Sequence, residues 1–308
     1  MSRILVIGGS GQIGLDLKSS KVKKNNKFIF PSSTELDIRK KNSIYEFLKN
    51  NKVDLVLNFA AYTNVDKAET EKKRANDINN KGAKNLSTET AKHQIGLIHF
   101  STDYVFGKNN TTTNHYDKKV SPVNYYGYTK SEGEKAILLN SDLGFIVRLA
   151  SVYGFYGNNF IKTIAKLLLT SSEIKVVSDQ KISLTSSFEL VNNIDYLIDL
   201  YNLKINNNGY SPKIIHFTNK GYTNWYNVAK VIKSELQLIL NKRINTNLVP
   251  INSRNWVSLA KRPLDSRLKV DFNELERNNI FLPKWESSVR SFVRKIFPII
   301  KNNIKNDG

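Results

Sequence analysis

Four consecutive apolar residues, Ile4-Leu5-Val6-Ile7, run without a break into Gly8-Gly9-Ser10-Gly11-Gln12-Ile13-Gly14. An apolar run of this length reads as a strand buried on both faces, and glycines placed directly after it read as a tight turn opening a helix. The spacing satisfies G-x-G-x-x-G with Gly9, Gly11 and Gly14, and G-x-x-G-x-x-G with Gly8, Gly11 and Gly14. Missing side chains let the backbone approach a pyrophosphate, whose charge is met by the amides of the helix start, here Gln12 and Ile13. The stretch therefore predicts an α/β chain with a doubly wound parallel sheet, and a dinucleotide at the carboxyl ends of its strands.

Such a fold needs a second strand whose end reads the ribose 2′ position about 20 residues beyond the turn. Phe28-Ile29-Phe30 fits, and it leads into Pro31-Ser32-Ser33 with no acid at that point. An acid would bond the 2′-hydroxyl of NAD and repel a 2′-phosphate, so its absence leans toward NADPH, with NADH as the alternative. Ser32 and Ser33 are candidate phosphate partners, and Leu36-Asp37-Ile38 is placed beside the adenine. Val53 to Ala61 is the next strand. Its small residues Ala60 and Ala61 leave room for a cofactor or for close helix packing, and Tyr62 follows. Asp66 to Lys92 reads as one helix, and Ile95 to Phe100 as a strand delivering Ser101-Thr102-Asp103-Tyr104 at its carboxyl end.

Tyr126 and Lys130 stand four residues apart at a predicted helix start, which puts both on one face, one turn apart. A phenol normally titrates near pH 10, and a neighbouring ammonium favours its phenolate, so the pair suits proton donation in reductase or epimerase chemistry. Thr102 supplies a neutral hydroxyl able to bond a substrate carbonyl while Tyr126 protonates it. Phe145 to Leu149 forms a further strand, in which Arg148 needs a partner if buried. Beyond residue 150 the strand and helix alternation becomes irregular. The organisation read from this is residues 1–150 as a Rossmann-like dinucleotide-binding domain and 151–308 as a smaller, mainly C-terminal α/β substrate domain. Some of 160–205 is expected to return to the first.

The formal net charge of +20 raises the question of nucleic acid. The basic residues are spread along the chain and interleaved with Asn, with no zinc-finger spacing and no aromatic RNA-recognition signature, so no nucleic-acid partner is expected. A solvated basic surface, or a field that steers an anionic nucleotide, accounts for the charge. The chain has no Cys, which removes disulfides and thiolate chemistry. The final amphipathic helix, Glu286 to Ile300, suits core packing or a membrane surface. No apolar run is long enough to span a membrane, and the apolar stretch after Met1 is too short for a signal peptide, so a cytoplasmic location without stable membrane insertion is expected. His93, His99, His115 and His216 lack metal spacing and read as structural, and no metal is expected.

Taken together, Gly8, Gly11 and Gly14, Thr102, and Tyr126 with Lys130 resemble the extended short-chain dehydrogenase/reductases, and within them the dTDP-4-dehydrorhamnose reductase family. The resemblance extends from Ile4 to about Phe297 and is carried by Asn58-Phe59-Ala60-Ala61-Tyr62-Thr63-Asn64-Val65-Asp66, His99 to Phe106, Tyr126 to Ala136, Gly157-Asn158-Asn159-Phe160 and Arg262 to Leu268. It implies catalysis by Thr102, Tyr126 and Lys130, with Lys130 holding the nicotinamide ribose and lowering the Tyr126 pKa. It also implies a nucleotide-sugar substrate reduced at C4, with Tyr104, Asn159, Arg262 and Ser266 as substrate contacts, and leaves a homodimer open. The chain departs from the family at Ser151, which stands where the family has a Trp beside the sugar.

Overall fold

The computed structural model describes residues 2–20, 26–107, 113–206 and 213–306. The Asn/Thr-rich loop between Thr102 and Tyr126 lies partly outside them. β1 (Ser2–Ile7) is followed directly by α1 (Gln12–Ser19), as the glycine turn requires. Then come β2 (Asn26–Ile29), α2 (Lys41–Asn50) and β3 (Leu55–Asn58). Next are α3 (Val65–Ala68), α4 (Lys72–Asn76) and, beyond a π-helical turn at Asp77–Gly82, α5 (Ala83–Lys92). β4 (Gly96–Thr102), α6 (Tyr125–Asn140) and β5 (Gly144–Leu149) complete this run.

The expected single helix over 66–92 is thus broken. The wide π turn points Asn79 inward, where it accepts from Tyr62 N at 2.8 Å and donates to Tyr62 O and Thr129 Oγ1 at 3.1 Å each. A regular α turn would not carry that amide to the loop it ties down.

After β5 the chain makes β6 (Val152–Tyr153), α7 (Phe160–Thr170), β7 (Glu173–Val177) and β8 (Thr185–Ser186). α8 (Ser187–Asn192) and α9 (Ile194–Asn206) follow, then β9 (Ile214–His216) and α10 (Trp225–Leu240). β10 (Asn247–Ile251), α11 (Phe272–Arg277) and α12 (Trp285–Asn306) close the described chain. The main sheet is parallel throughout, in the order β2-β1-β3-β4-β5-β9, a Rossmann-like doubly wound arrangement. The order reverses between β1 and β3, and that switch point opens the crevice where such sheets take ligands.

Successive side chains of a strand point to opposite faces. Ile4 and Val6 accordingly enter one core with Leu17, α8 and α9, while Leu5 and Ile7 enter another with Ile44, Leu86 and Ile137. A separate core joins α7, α10 and α12 with the short parallel pair β7-β10. The apolar stripe of α12 lies inside it, with Val289, Val293 and Ile296 fully buried, each worth about 1.5–3 kcal/mol. On its flank, Arg290 and Arg294 pair with buried Glu235. The stripe that also suited a membrane surface is covered by protein, and among the described residues no helix is long and apolar enough to cross a membrane.

Candidate active site

A cleft of about 900 Å³ runs across the carboxyl ends of β1, β3, β4 and β5. Its floor is the glycine turn. Gly8 has φ +83°, and a Cβ there would lie 2.7 Å from Ala60 N across the switch point. At Gly14 a Cβ would collide with Gly8 O. Gly11 caps α1 without any side-chain hydrogen bond, so the first-turn amides remain available to an anion. Gly8, Gly11, Gln12 and Ile13 line the cleft, as do Ala60 and Ala61 on its facing wall. These residues fit a dinucleotide, because the bare backbone, the uncapped helix start and the small wall are what a pyrophosphate needs.

At the β2 end the lining consists of Ser33, Asp37, Ile38 and Arg39. Ser32 is turned to its own loop, where its hydroxyl donates to Glu35 at 2.8 Å, so Ser33 and not Ser32 faces the cleft. Asp37 is held in the guanidinium fork of Arg39 at 2.9 and 2.8 Å, and that bond keeps its carboxyl below the usual carboxylate range. Arg39 brings a half-exposed positive charge to this end of the cleft. Tyr62 is not on the lining; its main chain is clamped by Asn79 and its ring lies under Arg74.

α6 is started by Asn124, whose Oδ1 accepts from Gly127 N at 2.8 Å. Gly127 packs so tightly on Tyr104 O that a Cβ would overlap it, which seats the helix start against the end of β4. Thr102, Tyr126 and Lys130 converge on the cleft as a result. The Thr102 hydroxyl donates to Asp103 Oδ1 at 3.0 Å and accepts from Tyr104 N at 3.2 Å. Burial pushes the Tyr126 phenol up to about 12; the Thr102 hydroxyl opposes that rise and the Asp103 carboxylate adds to it. Lys130 is 1% exposed, donates to Phe100 O at 2.7 Å, and has Nζ 3.1 Å from His99 Nε2. Burial draws its ammonium down to about 8 against the pull of Glu134. Lys130 is thus hydrogen-bonded to β4, while burial, Thr102 and Asp103 act on the Tyr126 phenol.

Three residues of the expected substrate set stand behind the lining. Asn159 caps α7, accepting from Lys162 N at 3.1 Å and donating to Gly154 O at 2.9 Å, so both ends of its amide are engaged. Its neighbours Gly157 and Asn158 line the cleft instead. Arg262 holds Asp66 at 2.7 and 3.2 Å, which fastens its loop to the start of α3. Ser266 is 1% exposed and sits behind Asp103, where it opposes the rise in that carboxyl's pKa. Tyr104 and Ser151 do line the cleft, Ser151 with φ +42°.

Four lining or adjoining residues were not read as functional from the sequence. Arg39 follows the Leu-Asp-Ile stretch by one residue. Trp225, the first residue of α10, brings an aromatic ring to the cleft that Ser151 also lines. His99, read as structural, contacts Lys130. Asp103 is 2% exposed with its Oδ2 unpartnered, and burial pushes its carboxyl up to about 7. The signal for the last two was their position around the end of β4, His99 three residues before Thr102 within the strand and Asp103 directly after it.

Residues 1–297 match the family described as RmlD substrate binding domain. The chain is 36% identical over 230 residues to dTDP-4-dehydrorhamnose reductase of Mycolicibacterium smegmatis, covering 74% of this chain and 67% of that protein. Among solved structures it resembles a dTDP-4-dehydrorhamnose reductase of Clostridium acetobutylicum (TM-score 0.85, 31% identity, 96% of this chain and 99% of that one). It also resembles the Bacillus anthracis dTDP-4-dehydrorhamnose reductase in complex with NADP (TM-score 0.83, 29% identity, 96% and 99%). With the match running from the glycine turn through the core that holds α12, the chain belongs to the RmlD substrate binding domain family.

Proposed function

We propose that this protein is an NADPH-dependent reductase that converts the C4 keto group of dTDP-4-dehydrorhamnose to the alcohol of dTDP-L-rhamnose, acting in the cytoplasm. The observation that carries the reading is the convergence of Thr102, Tyr126 and Lys130 on the same cleft as the uncapped start of α1. The bound dinucleotide supplies the hydride. Gly8, Gly11, Gln12 and Ile13 hold its pyrophosphate, and Ser33 and Arg39 meet its 2′-phosphate. Thr102 orients the sugar carbonyl, and Tyr126, a phenol that is in its acid form at neutral pH, delivers the proton to the developing alkoxide oxygen. Tyr104, Ser151 and Trp225 form the sugar side of the cleft.

Incubating the purified protein with NADPH and dTDP-4-dehydrorhamnose should consume NADPH absorbance. A second reading, with another nucleotide-linked 4-keto hexose as substrate, is favoured by Ser151 alone. Loss of absorbance with such a sugar and none with dTDP-4-dehydrorhamnose would decide for it.

The cofactor preference rests on Arg39. A charge-assisted hydrogen bond contributes about 1.5–3 kcal/mol, and exposure places Arg39 at the low end. Arg39→Ala should therefore raise the NADPH Kd by about tenfold while leaving that of NADH unchanged. Parallel fluorescence titrations with the two cofactors check this; equal weakening of both would remove Arg39 from the 2′-phosphate.

A further inference from the structure

Ala60 N donates to Asn58 Oδ1 at 3.1 Å, and because a main-chain N–H can only donate, this bond fixes the orientation of the Asn58 amide. The other end, Nδ2, lies 2.9 Å from His99 Nδ1 and is likewise only a donor. His99 Nδ1 must accept, so in the neutral ring the proton sits on Nε2. Burial holds the ring neutral. Nε2–H then faces Lys130 Nζ at 3.1 Å, while Phe100 O lies 2.7 Å from the same nitrogen.

An ammonium has three donors and no lone pair, so it opposes Nε2–H. An amine accepts from Nε2–H and still donates to Phe100 O. Asn58, His99 and Lys130 are each 1% exposed, which leaves bulk water little access to relieve a donor-against-donor contact. Turning the Asn58 amide only moves that conflict to Ala60 N. We propose that His99 is a positioning residue that holds Lys130 as an uncharged amine in the cofactor-free protein.

The titratable and charged groups around Nζ are His99 on β4, Tyr126 one turn back on α6, and Glu134 one turn on, itself in the fork of Arg148 from β5. Burial and Nε2–H favour the amine; Glu134 favours the ammonium. Taking the cofactor reading above as its premise, the negative charge of an arriving dinucleotide raises the proton affinity of Nζ. Cofactor binding then draws in a proton at Lys130.

The test is a pH titration of the lysine Cε resonances in 13C-labelled, cofactor-free protein, with Lys130 assigned by the signal lost in Lys130→Met. In the native chain Lys130 should titrate near or below pH 8. Two changes invert the polarity of the chain. His99→Gln offers Lys130 an amide oxygen, and Asn58→Asp accepts a proton from Nδ1 and leaves Nε2 as an acceptor. Each should raise the midpoint by about one unit or more, roughly tenfold in proton affinity. A native midpoint in the ordinary lysine range near about 10.4 overturns the proposal whatever the variants do. So does a midpoint that stays in place in either folded variant. NADPH oxidation measured on the same preparation reports separately on the cofactor reading.

Discussion

Tyr126→Phe is expected to lower kcat by about 10²–10⁴-fold, the range in which a positioned proton donor contributes. The phenol is the group that can deliver a proton to a carbonyl held by Thr102, and with its pKa pushed up to about 12 it is present in the acid form across the neutral range. Removing only the oxygen leaves the ring in place. It packs edge-on against Tyr104 with ring centroids 5.9 Å apart, and Phe preserves that wall. NADPH binding should therefore change by no more than about twofold, since the lost hydroxyl acts on the reacting atoms and not on the pyrophosphate. Steady-state oxidation of NADPH together with a binding titration separates the two effects. Full turnover in the variant would assign the proton to another group, and Asp103 would be the first to examine.

The largest stability effect is expected at Glu134. Its carboxylate takes the Arg148 fork at 2.9 and 2.7 Å, with the two side chains 3% and 2% exposed. Glu134→Ala leaves a buried guanidinium with its remaining contacts to Tyr116 O at 3.1 Å and the edge of His216 at 3.5 Å. Breaking a buried pair by deleting one partner costs about 3–5 kcal/mol, because the surviving charge is stranded. For a chain of this size that corresponds to a fall in Tm of about 5–8 °C. Glu134→Leu combined with Arg148→Met should recover most of the loss, since the pair's own net contribution is small beside the cost of stranding one charge. Calorimetry on the single and double variants distinguishes these outcomes, and an unchanged Tm in Glu134→Ala would show that the pair is solvated in solution.

The parts of this site that were legible in the sequence are those in which a short stretch carries its own geometry. A strand followed by glycines specifies the phosphate turn, and a Tyr four residues before a Lys specifies one helical face. The need of Arg148 for a partner was readable from its place in an apolar strand, but the identity of the partner was not, since Glu134 reaches it only once α6 packs on β5. Long-range pairing explains the other differences. Arg262 looked free to bind phosphate because Asp66, 196 positions away, is not a neighbour in sequence. Asn159 looked like a ligand because a helix cap and a binding amide are the same residue type before the backbone is known. Arg39 escaped notice because β2 ends earlier than the apolar pattern implies, at Ile29, and the loop after it folds back to the cleft.

The path of the chain between its cores has a mechanical meaning. After β5 it leaves the main sheet for α7 and β7, returns through α8 and α9 to add β9 as the edge strand, departs for α10 and β10, comes back with Val270 and α11, and departs once more for α12. Backbone thus crosses the same boundary five times, so any motion of one core against the other has to bend every crossing together. A cut near residue 150 would likewise not release two intact pieces, because the first would lack β9 and the two helices that cover one face of its sheet. The dinucleotide-binding sheet is therefore completed only by chain that has already passed through the other core.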